Sequence, residues 1–210
     1  MIPERTISID DRLAQIVSAV FHPLLMPFYG LLIIFTAPCL YGYLPSQVKK
    51  AMYFIVLVDN ILLPVMLITY FRYRSIISSW SVDNRKERII PLIVTSFFYS
   101  FTVYLTYRFH IPVFIKSFII CSAILVIAVT VINFWHKISI HSTGTGALTA
   151  LILILSLRMQ APLTGLMIIM VLVSGLVMSS RLWLNSHTPG EVWSGFILGF
   201  FGSLLCLLFL

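Results

Sequence analysis

Charge is what this sequence has least of. Only 10 % of its 210 residues are Asp, Glu, Lys or Arg, the acids number just seven, and 60 % of the chain is hydrophobic. Soluble domains carry about 25 % charged residues, so a soluble globular domain is excluded. Cysteine is scarce as well. Cys39, Cys121 and Cys206 lie in separate apolar stretches, without the short spacings of a metal site or an obvious disulfide pairing, and read as core filler. Alternating apolar and polar strands are also missing, which excludes a membrane barrel and leaves the helix as the spanning form. The opening "MIPERTISIDDR" mixes both charge signs and does not lead directly into a short apolar core with a small-residue cleavage site, so no cleavable signal is expected.

What the sequence does contain is apolar runs of about spanning length, near residues 17–41, 51–72, 91–109, 113–135, 142–158, 162–179 and 192–210. The fold expected is all-α: a polytopic transmembrane helical bundle of six or seven crossings, forming a single membrane domain over 1–210. Six applies if the short third or fifth run is only partly inserted. Pro23, Pro27 and Pro38 should bend the first crossing. No internal repeat, linker or low-complexity tract interrupts the chain.

Seven crossings put segments 72–90, 136–141 and 180–191 on one side of the membrane. That side holds nine of the fourteen basic residues: Arg5, Arg12, Arg72, Arg74, Arg85, Lys86, Arg88, Lys137 and Arg181. Lys49, Lys50, Arg108, Lys116 and Arg158 fall on the other, so the positive-inside rule points the polar face to the cytoplasm. The net charge of +7 lies at the ends of apolar runs rather than on a soluble face, which suits lipid head groups and not nucleic acid. Membrane lipids are the expected surroundings, in a bacterial inner membrane.

Each polar segment has a bland reading and a chemical one. "SVDNRKERIIPL" supplies Arg85, Lys86 and Arg88 just before a crossing, as an ordinary membrane-flanking loop or as a grip on an anion. "KISIHSTGTGAL" places His141 at a helix start, where free N–H groups favour an anion, followed by Gly144 and Gly146. An interfacial anchor with packing glycines is the other possibility. In "SRLWLNSHTPGE", Thr188, Pro189 and Glu191 can form a capping box, which accounts for Glu191 but not for Arg181 or His187. Alternatively Glu191, one helical turn beyond His187, holds one imidazole nitrogen and leaves the other to attack, while Arg181 grips the target anion.

With Ser180, Arg181, His187 and Glu191 in register, this last segment resembles the third motif of the type 2 phosphatidic acid phosphatase family, SRxxxxxHxxxD, with Glu for the final Asp. "ISIH" resembles the second motif, PSGH, keeping Ser139 and His141 and replacing the other two positions by Ile138 and Ile140. The first motif, KxxxxxxRP, is kept only in part: with Pro91 aligned, Ile90 and Asp83 occupy the basic positions, so their role falls to Arg85, Lys86 or Arg88. The resemblance covers residues 83–200. It implies a metal-independent lipid phosphate or diphosphate phosphatase without cofactor. In that reading His187 attacks phosphorus, Glu191 orients it and His141 protonates the leaving alkoxide. Arg181, with Arg88, Lys86 or Arg85 and the Ser139 region, binds phosphate. A phosphotransferase, or a non-catalytic lipid-binding or transport protein, is the alternative. Asp59, beside Asn60 and Pro64 inside an apolar run, lies too deep for that pocket and is expected either to bond a neighbouring helix or to serve a gating or lipid role.

Overall fold

The structure, a computed structural model, describes residues 8–74 and 88–209, and every regular element among them is helical. The helices are α1 (Ile9–Val20), α2 (Met26–Thr36), α3 (Ser46–Val56), α4 (Leu63–Tyr73), α5 (Ile89–Tyr107), α6 (Val113–Asn133), α7 (Ile140–Met159), α8 (Thr164–Trp183) and α9 (Pro189–Phe209). A π-helical turn, Leu57–Leu62, joins α3 and α4 into one rod. Seven stretches are long and apolar enough to cross a membrane, the first being Ile9–Thr36 and the second Ser46–Tyr73.

The first stretch begins earlier than expected and is broken rather than bent. Ser8 and Asp11 form a capping box that starts α1 well before the apolar run. Pro23 then ends the path, because it lacks an N–H and forces His22 into extended backbone (φ −64°, ψ 136°). The His22 Nδ1 accepts from the Leu24 N–H at 3.3 Å and caps the short 3₁₀ turn that follows. Pro27 sits in the first turn of α2, where no N–H is needed, and Pro38 stops that helix through an extended Ala37. α1 rests on the last turn of α8: Trp183 Nε1 donates to Asp11 at 3.1 Å, and an Arg181 N–H donates to the Ser18 hydroxyl at 3.4 Å.

At the π-turn, Pro64 cannot donate to the carbonyl of Asn60, which loosens the ladder there. Asp59 and Asn60 are buried at this point. Thr102 of α5 donates to Asn60 at 2.7 Å, with an Asp59 oxygen at 3.4 Å. The intramembrane acid thus sits in a polar contact between helices, the first of the two roles expected for it.

α7 is the central helix, with Leu151, Ile152, Ile154 and Leu155 wholly buried. Its neighbour α9 approaches closely because glycines face it. A Cβ added at Gly195 would strike the Ser139 carbonyl, one at Gly199 the Thr143 carbonyl, and one at Gly146 the Phe196 carbonyl. Without a hydrophobic force between helices in lipid, such small-residue contacts are the main route to tight packing. Gly146 is therefore a packing glycine, and Gly144 lies against Met26. Cys39 and Cys121 are buried, Cys206 is half-buried, and all three are free thiols within the packed interior. Phe97, Leu172 and Phe201 point outward, where the bilayer covers them.

Gly199→Ala should lower the melting temperature in detergent, since its Cβ meets fixed backbone and overpacking costs about 1–3 kcal/mol. Gly175 has open space around it, so Gly175→Ala should be neutral or slightly stabilising through helix propensity. Equal shifts in the two variants would contradict the close α7–α9 contact.

Candidate active site

α8 ends in a Schellman motif: the Asn185 N–H bonds to the Leu182 carbonyl at 2.9 Å and the Ser186 N–H to the Arg181 carbonyl at 3.2 Å. Asn185 takes the left-handed conformation this requires (φ 51°), which Asn tolerates better than most residues. The chain reverses there and presents His187 between Arg181 at the end of α8 and Glu191 in the first turn of α9.

Glu191 makes the contacts of both readings at once. Its Oε2 accepts from the Thr188 N–H, and its own N–H bonds to the Thr188 hydroxyl, both at 3.4 Å, which is the capping box. The same Oε2 lies 2.7 Å from His187 Nδ1. On the far side of the imidazole, Arg88 Nη2 is 3.4 Å from His187 Nε2. A guanidinium only donates, so Nε2 must offer its lone pair, and Nδ1 carries the hydrogen given to Glu191. That is the tautomer a nucleophilic imidazole needs.

Arg88 is buried at the N-terminal end of α5, with Nη1 3.5 Å from the Ile138 carbonyl. It is the basic candidate that the described residues place at His187; Arg85 and Lys86, like Asp83, lie outside them. Ser139 is wholly buried as the N-cap of α7, and its hydroxyl accepts from the Ser142 N–H and hydroxyl. Its own N–H donates to the Glu191 carbonyl at 3.0 Å, fastening the second segment to the third. His141, one residue into α7, turns toward α1: its Nε2 is 3.1 Å from the Ser18 carbonyl, and its ring lies edge-on to that of His22 at 5.5 Å. A carbonyl can only accept, so His141 carries a hydrogen on Nε2, which leaves Nδ1 for any other partner.

Neither the chain's motifs nor its resemblance singled out Lys137, His22 or Ser18. Lys137 donates to the Ser186 carbonyl at 2.7 Å and lines a cleft of about 470 Å³ with Ser186, His187, Thr188 and Glu191. Its place two residues before Ser139 on the polar face was the available signal. His22 and Ser18 carry none, being brought in by the break at Pro23. No family model, curated protein or solved structure matches this chain.

Burial, followed by the positive charges of Arg88, Lys137 and Arg181, holds the His187 pKa below its ordinary 6.5, against the pull of Glu191. The imidazole is therefore neutral at pH 7. Below pH 6.5 the unfolded chain binds a proton that the folded one refuses, so this group's contribution makes the fold less stable as pH falls. If His187 is a nucleophile, the acid limb of kcat/KM should lie below pH 6.5, and Arg88→Gln should move it to higher pH by removing a cation. An unmoved limb would separate Arg88 from His187. Glu191→Gln should cost little melting temperature, because the amide still caps α9, yet slow turnover by 10-fold or more in order of magnitude, because it cannot stabilise an imidazolium. Comparable losses in both would reduce Glu191 to a helix cap.

Proposed function

We propose that this chain is a membrane-embedded lipid phosphate or diphosphate phosphatase that works through a phosphohistidine intermediate, with a bacterial inner membrane as its setting. The observation that carries the reading is the His187 arrangement. A carboxylate at 2.7 Å fixes Nδ1, and a buried guanidinium faces the lone pair on Nε2. An anion arriving between Arg88 and His187 takes over the guanidinium N–H and meets the freed lone pair. The resemblance of "SRLWLNSHTPGE" to the family's third motif adds the expected roles.

In the first step Nε2 of His187 forms a bond to phosphorus. The bond from phosphorus to the lipid oxygen breaks, and its electron pair leaves as alkoxide. Glu191 stabilises the cationic imidazole, while Arg88, Lys137 and Arg181, whose charges all act at His187, offset the charge spread over the phosphoryl oxygens. His141, entering this step with a second proton on Nδ1, gives that proton to the alkoxide while its Nε2–H stays on the Ser18 carbonyl. Water then attacks phosphorus, His141 takes a proton from it, and the P–N bond returns its pair to Nε2. Phosphate and a lipid alcohol leave; from a diphosphate the leaving group is the lipid monophosphate, which needs no proton.

Purified protein should release phosphate from at least one member of a panel of lipid phosphates and diphosphates, and His187→Ala should lower that rate by about 10³-fold or more on every substrate. Release from none, or near-normal turnover by the variant, would overturn the reading. His141→Ala should lose about 10²- to 10⁴-fold on a lipid monophosphate, whose alkoxide needs a proton, and much less on nitrophenyl phosphate. An equal loss on both would make His141 a phosphate-positioning residue instead.

A further inference from the structure

A second cavity, of about 330 Å³, lies within the membrane part of the bundle, among α4, α5, α6, α7 and the turn from His22 into α2. Its wall is mostly hydrocarbon, including Leu92, Phe118, Leu125 and Leu148, and among the described residues the basic ones lining it are His22 and Arg88. Arg88 is the same guanidinium that meets His187 Nε2 at 3.4 Å, so the polar cleft and the apolar cavity are neighbours across one side chain. From Arg88 to Tyr99, both on the lining, is eleven residues along α5, or about 16 Å. That is roughly half of the ~30 Å hydrocarbon core, the depth of one leaflet.

Water has few partners in such a space, and apolar cavities of this kind stay dry or take apolar ligands. The volume stands at the small end of the roughly 300–1,000 Å³ range of ligand sites. That is room for a slender chain. We propose that this cavity seats one hydrocarbon chain of an amphiphilic phosphate, with the phosphate held between Arg88 and His187. The fate of the head group rests on the phosphatase reading; the seat does not. A single-chain lipid phosphate would place the part of its chain nearest the phosphate in the cavity, and a two-chain lipid keeps its second chain in the bilayer. Because residues 22–27 and α4 form part of the wall, the helices preceding the motif-bearing region help select the substrate.

Photolabelling with an alkyl phosphate carrying a diazirine at the end of its chain, on the intact protein in phosphatidylcholine nanodiscs, tests the seat directly. Adducts on Tyr99, Phe118 or Leu148 are expected. Adducts confined to outward residues such as Phe97, Ile124 and Ile168 would overturn it. Ala147 and Ser122 line the cavity from α7 and α6, and Ala147→Phe and Ser122→Phe should each lower the ratio of long-chain lipid phosphate turnover to nitrophenyl phosphate turnover by 10-fold or more. The ratio cancels differences in the amount of folded protein, and wild-type ratios in both variants would contradict the seat. Cavity adducts without phosphate release from any substrate would sink the phosphatase reading and leave the seat standing.

Discussion

One backbone hydrogen bond, from the Ser139 N–H to the Glu191 carbonyl at 3.0 Å, ties the first turns of α7 and α9 together. It forms only because Gly195 and Gly199 let α9 approach the α7 backbone more closely than any side chain would allow. Three consequences follow from that contact. Lys137, just before α7, reaches the Ser186 carbonyl; Ile138 offers its carbonyl to Arg88; and Arg88 in turn faces His187. The polar site is thus a by-product of how tightly two apolar helices pack.

The electrostatics follow the same logic. Buried cations in a membrane protein are costly and mark functional sites by default, and here Arg88 and Arg181 are each less than a tenth exposed. Together with Lys137 they act on one imidazole whose far nitrogen is held by a single carboxylate. Such a group is kept neutral among positive charges, the setting in which the proposed nucleophile would meet an anion. The neighbouring apolar cavity adds the complement, so that one guanidinium divides a place for charge from a place for hydrocarbon. An amphiphilic phosphate is the ligand proposed for the two halves together.

Local spacing was legible in the sequence, and tertiary approach was not. The four-residue interval from His187 to Glu191 is one helical turn, and it yields the 2.7 Å contact read from the motif. The seven apolar stretches were equally legible, because lipid leaves the backbone no other spanning form. The approach of Arg88 to His187 was not, since it depends on where α5 sits relative to the Ile138 carbonyl, fifty residues away. The partner of His141 was hidden for a similar reason. It is a backbone carbonyl at the end of α1, exposed by the break at Pro23 and carrying no side-chain signature.

The central claim is that His187 Nε2 forms a bond to phosphorus. Protein mixed with a ³²P-labelled lipid phosphate and quenched in alkali, where a phosphoramidate survives, should yield a labelled peptide with the phosphoryl group on His187, and brief acid treatment should release it. Glu191→Gln should lower the yield of that adduct. Steady phosphate release with no phosphohistidine trapped, or with the label on another residue, would contradict the account.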